Sequence, residues 1–222
     1  MNITTILADA YRFYSGKFRQ ISVLFLPIMT IVTILGQGPE TQDTVEIASV
    51  FWWMLINFLL YPLYTGAMIL FLAKRTRHET PGYGQLLRES SALWWPLLIL
   101  TLIAGIAVFF GVMLLILPGI WIAVRLSFAE IYLVAEGLSP LAALRKSHDA
   151  TREVFWLILA IVVILYVPLI ALSYFLELMA EASGGGSVLK IITESIVAFL
   201  GLFVNVAIFR IYLLHGLNQA KA

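Results

Sequence analysis

The residues of this sequence best placed to do chemistry are charged and polar side chains inside long apolar runs. Arg125, Ser127 and Glu130 share one run, Glu194, Asn205 and Arg210 share another, and Asn57 lies in a third. A charge at the centre of a bilayer costs roughly 2.5–3.5 kcal/mol on insertion scales, so such residues pair, face a cavity or carry a substrate or proton. Two readings stand. The polar residues join helices to one another, or they outline a conduit. Joining is favoured, because few charges lie at mid-depth and the third and fifth apolar runs carry none there.

Depth along a helix suggests partners. At about 1.5 Å per residue, Arg125 and Glu194 lie about 9 Å and about 10 Å below the outer ends of their runs. Glu130 and Arg210 both lie about 8–9 Å from the inner ends. The signs oppose, so the expectation is two ion pairs, Arg125–Glu194 and Glu130–Arg210. One difficulty is that Arg125 and Glu130 sit about 140° apart around a helix axis.

Other chemistry is poorly represented. His78, His148 and His215 show no ligand spacing, there is no cysteine, and Gly82-x-Gly84 lacks the third glycine and preceding strand of a phosphate loop. No catalytic residue, cofactor-binding residue or metal ligand is expected, and the chain does not read as an enzyme.

These residues need an apolar scaffold, and the composition provides one. Of 222 residues, 61% are hydrophobic and 12% are charged, with a net charge of +1 and a mean hydropathy of +0.96. An average soluble domain is roughly 25% charged. The numbers exclude disorder and nucleic-acid binding and leave an all-α, multi-pass membrane protein. Apolar runs cover about 21–36, 46–73, 92–117, 120–135, 154–178 and 188–214, the second with a kink site at Pro62.

Charge sets the orientation. Arg12, Lys17, Arg19, Lys74, Arg75, Arg77, Arg88, Arg145, Lys146, Arg152, Arg210 and Lys221 fall on one side. Glu40, Asp43, Glu46, Glu177, Glu181 and the Gly184-Gly185-Gly186 turn fall on the other, with Lys190 as the exception. The positive-inside rule makes the basic side cytoplasmic, with both termini there and six spans. Trp52 and Trp53 at one boundary, and Trp94, Trp95, Phe155 and Trp156 at the other, read as interfacial anchors beside Lys17, Arg19, Arg145 and Arg152. No cleavable signal peptide is expected.

Residues 2–19 plot as an amphipathic helix, with Ile3, Ile6, Leu7, Ala10, Tyr11, Phe13, Tyr14 and Phe18 in one arc. The expectation is a helix lying in the inner leaflet, with Lys17 reaching to water. Thr80-Pro81 and Ser139-Pro140 look like starts of two further short helices. The chain thus reads as three copies of one plan: elbow helix, outward span, turn, inward span. The third elbow, 140–152, is weakly amphipathic and is expected to pack on protein. Leu117-Pro118-Gly119 is expected to make the outer turn of the middle hairpin, with a re-entrant break lining a cavity as the alternative.

Three stretches carry a resemblance: LPGIWIAVRLSFA at 117–129, VAEGLSP at 134–140, and ALRKS at 143–147 followed by Thr151 and Arg152. Together with FRIYL at 209–213 they resemble the YciC-like family of bacterial inner-membrane proteins. They are also similar to the related membrane domain attached to some glycerophosphodiester phosphodiesterases. A small residue or proline is commoner in that pattern where this chain has Glu130. The resemblance implies location and architecture more than chemistry, since the family has no assigned activity. The expected role is structural or accessory in the bacterial inner membrane, supporting lipid or envelope homeostasis through the elbow helices, with the bilayer and its phospholipid as partners. The alternative is a small transporter or permease subunit for a lipid-like or amphipathic solute. The sequence leaves a protein partner or a homo-oligomer open.

Overall fold

A computed structural model describes residues 2–36, 46–182 and 187–219 of the chain. Glu40, Asp43, the Gly184-Gly185-Gly186 turn and Lys221 lie outside the described residues. Among those described, ten α-helices and no strand are present. The short helices are α1 (Ile3–Gly16), α4 (Tyr83–Ala92) and α8 (Pro140–Ala150). The long ones are α2 (Phe18–Gly36), α3 (Glu46–Thr76), α5 (Trp94–Leu114), α9 (Phe155–Ala182) and α10 (Ser187–Gln219). The fourth apolar run is divided into α6 (Ile116–Arg125) and α7 (Ala129–Glu136). Six segments are long and apolar enough to cross a membrane, with α6 and α7 together forming the fourth, Ile116–Glu136.

Local sequence explains most boundaries. Gly137 ends α7 at φ 69°, a left-handed position where only glycine is unstrained, and Pro140 opens α8 at its first position. The start expected at Thr80-Pro81 moves inward, because Gly82 takes the cap position and α4 begins at Tyr83. The middle hairpin also differs from expectation. The chain turns at Leu115, which is fully extended, and Leu117, Pro118 and Gly119 already belong to the first turn of α6. Proline is tolerated there because first-turn N–H groups have no helical acceptor. Gly119 is needed for a close approach. A Cβ placed on it would lie 2.2 Å from Val112 Cγ2 and 2.8 Å from Val112 N.

Packing is concentrated at the end of the bundle that carries the basic clusters. Ile21, Phe25, Met68, Leu72, Leu97, Leu100, Phe128, Leu133, Ile158 and Ile161 form a buried core there. Towards the opposite end, Phe109, Phe110, Met113, Leu114, Val167, Ile170 and Phe175 are exposed. Only 11% of the apolar window of α9 is buried, against 44% for α3, so α9 presents most of its surface outward. Apolar surface of that extent on a polytopic helix belongs against lipid or a second protein.

Candidate functional site

Each short helix docks on a long one by the same two kinds of contact. At the first joint, α4 lies on α3. Lys74 pairs with Glu89 at 2.7 Å, and the Ser90 hydroxyl donates to the Leu63 carbonyl at 2.5 Å. At the second, α8 lies on α6 and α7. Lys146 pairs with Glu136, and the Thr151 hydroxyl is shared between the carbonyls of Arg125 at 3.1 Å and Ser147 at 2.7 Å. At the third, α1 lies on α10. Arg210 pairs with Asp9 at 2.9 Å, and the buried Tyr14 hydroxyl donates to the Phe199 carbonyl at 3.1 Å.

The spacing is the same in all three. Leu63 and Lys74, Arg125 and Glu136, and Phe199 and Arg210 are each eleven residues apart. Eleven residues of unbroken helix make about three turns, so carbonyl and charge share a face on α3 and on α10, while the second joint spans the break between α6 and α7. The hydroxyl always stands four residues before the first residue of the next long helix: Tyr14 before Phe18, Ser90 before Trp94, Thr151 before Phe155. Contacts run antiparallel along the long helix, for Asp9 meets Arg210 while Tyr14 meets Phe203 and Phe199 further back. The first short helix therefore docks on the last long one.

That arrangement covers part of the apolar arc of α1 with protein. Ile6, Ala10 and Tyr14 are buried against protein, and Tyr11 and Phe18 are the large apolar side chains left exposed.

The break between α6 and α7 is the second feature. Residues 126–128 leave the α-helical ladder, which frees backbone groups inside an apolar run. Ser147, fully buried on α8, closes both gaps. Its hydroxyl donates to the Arg125 carbonyl at 2.8 Å and accepts the Phe128 N–H at 3.1 Å. Irregular backbone at membrane depth needs such partners. The Arg125 guanidinium donates to the His148 carbonyl at 2.9 Å and sits 5.0 Å from the Trp121 ring. Arg125 thus puts a cation at the C-terminal turn of α8, where the helix dipole favours one.

The polar residues singled out in the sequence do not form one cluster. Glu194 stands 4.0 Å from Lys190 on its own helix. Among the described residues, neither expected ion pair forms: Arg125 is held by α8, and Arg210 by α1. Glu130, in the first turn of α7, accepts a hydrogen bond from the Tyr61 hydroxyl of α3 at 3.2 Å. Asn205 is half-buried and bonds to no described residue. Asn57 donates to the Trp53 carbonyl of its own helix.

Of the anchor candidates, Trp94 donates to the Leu59 carbonyl and Trp52 to the Leu35 carbonyl, while Trp53 is exposed. Trp95, Trp156, Arg19, Arg145 and Arg152 are exposed, and Lys17 is half-buried at the end of α1. Among the described residues no three metal-ligating side chains converge.

No family model, curated protein or solved structure matches the chain. The joints are therefore read on their own chemistry. Sequence reasoning missed Tyr14, Ser90, Ser147 and Thr151. The signal available was a hydroxyl four residues before an aromatic residue, repeated at 14–18, 90–94 and 151–155.

Proposed function

We propose that this protein is a non-enzymatic accessory protein of the bacterial inner membrane that organises phospholipid at the cytoplasmic leaflet. Three units of elbow helix plus hairpin, closed into a ring by α1 on α10, hold the basic segments at one level. One observation carries the reading. Each joint uses its buried polar groups to hold an elbow helix, while Arg12, Arg19, Arg88, Arg145 and Arg152 remain exposed on or beside those helices. Each such cation is worth about 1 kcal/mol near an anionic leaflet. The resemblance of 117–156 to the YciC-like family supports the same location.

The transporter alternative needs a polar path through the bundle. Arg125, Glu130, Glu194 and Arg210 instead have separate partners on separate helices. The test is extraction of the full chain in polymer-bounded membrane discs, with the retained lipid compared with bulk membrane. Enrichment of anionic lipid that falls when Arg12, Arg145 and Arg152 are changed to Gln supports the reading. Equal lipid composition in both samples, together with protein-dependent lipid flux in proteoliposomes, would replace it with the transporter.

A further inference from the structure

The ion pair that joins α1 to α10 stands at the opening of a cavity. Between α1, α3 and α10 is a half-enclosed space of about 230 Å³. Its deep walls are apolar and buried, formed by Leu72, Val206 and Phe209 with Phe13 beside them. Its more exposed lip carries Asp9 and Arg210. Pockets that enclose a whole drug-sized ligand run to roughly 300–1,000 Å³, so this one fits part of a molecule, with the rest outside.

The lip defines the outer part. Arg210 gives one Nη to Asp9, its Nε is covered by protein, and the side chain as a whole is 40% exposed at the lip. An exposed guanidinium N–H is best matched by an anionic oxygen, phosphate above all. Asp9 holds a second carboxylate oxygen that can accept from an ammonium. The pair is neutral as a whole. A purely anionic headgroup would meet the carboxylate, and a quaternary ammonium has no N–H to give it. The complementary headgroup carries a phosphate and a primary ammonium.

We propose that this cavity binds one phosphatidylethanolamine molecule, with its phosphate on Arg210, its ammonium on Asp9 and acyl methylenes against Leu72, Val206 and Phe209. The inference rests on the reading that the basic end of the bundle lies at headgroup level. It adds a stoichiometric site to a diffuse surface attraction.

The experiment uses the delipidated full chain in non-ionic detergent. Phosphatidylethanolamine, phosphatidylcholine and phosphatidylglycerol of identical acyl chains are titrated, with binding read by native mass spectrometry. One lipid per chain is expected, with a preference for phosphatidylethanolamine of about tenfold, the worth of one charged hydrogen bond. Asp9→Asn should erase the preference over phosphatidylcholine. Val206→Phe fills the wall without touching the ion pair and should reduce retention of all three lipids. Phe13→Trp fills it from α1 and serves if Val206→Phe does not fold. The proposal is overturned if Asp9→Asn keeps the preference, or if a folded wall variant binds as wild type does. It is equally overturned if glycerophosphoethanolamine, the headgroup without chains, binds as tightly as the lipid. Loss of this site with intact anionic enrichment in discs would leave the accessory role standing. Loss of enrichment with the site intact would do the reverse.

Discussion

Replacing Ser147 with Ala tests the account of the α6–α7 break most directly. The side chain is fully buried, and the change removes one oxygen with little change of volume, so cavity terms are small. Two backbone groups lose their partner. The Arg125 carbonyl has a reserve, because the Thr151 hydroxyl at 3.1 Å can turn fully towards it. The Phe128 N–H has none, since its bond is to Ser147 Oγ at 3.1 Å. An orphaned buried donor costs about 1–3 kcal/mol, and a hydrogen bond with a substitute partner about 0.5–1 kcal/mol. Ser147→Ala should therefore destabilise by about 2–3 kcal/mol and Thr151→Ala by about 1 kcal/mol. The double variant should exceed their sum by about 1 kcal/mol, because the carbonyl then loses both partners. Equilibrium unfolding in detergent gives the energies, and amide exchange over residues 126–130 localises the effect to Phe128. A Ser147→Ala variant within about 0.5 kcal/mol of wild type, with unchanged exchange there, would refute the reasoning.

Gly119→Ala should force α5 and α6 apart, because the new Cβ has Val112 backbone at 2.8 Å. The expected cost is about 1–3 kcal/mol, read as a lower unfolding temperature and a wider spin-label distance across the hairpin. His78 holds φ 62° just after α3, a conformation that strains an L residue, so His78→Gly should raise stability by about 1 kcal/mol in the same assay. The Lys74 ammonium, then the Gln85 amide, hold the Glu89 carboxyl below its ordinary value of 4.5. That contribution is complete above pH 4.5 and fades as pH falls through the lower folded value. Acid titration of wild type against Glu89→Gln should show a stability difference that closes on the acid side of that value.

The sequence by itself determined that there are six apolar segments long enough to span a membrane, but not the break that divides the fourth into α6 and α7. A bilayer imposes one thickness, and an apolar run either spans it or does not. Basic residues at alternate connections suggested the end at which the elbows gather, because charge partition is also read along one axis. Glycine and proline marked the end of α7 and the start of α8 through their own backbone limits. Partners were a different matter. Depth arithmetic matched Arg125 with Glu194 and Glu130 with Arg210, and in the structure those residues bond to His148, Lys190, Tyr61 and Asp9. Depth is one coordinate, and contact also needs rotation about the axis and a neighbour at the right azimuth. The same reason hid the face of α1. A hydrophobic arc is identical in sequence whether it meets lipid or α10. Only the packing of α10 beside α1 decided that Ile6, Ala10 and Tyr14 are covered by protein, which leaves Asp9 and Arg210 to close the chain on itself.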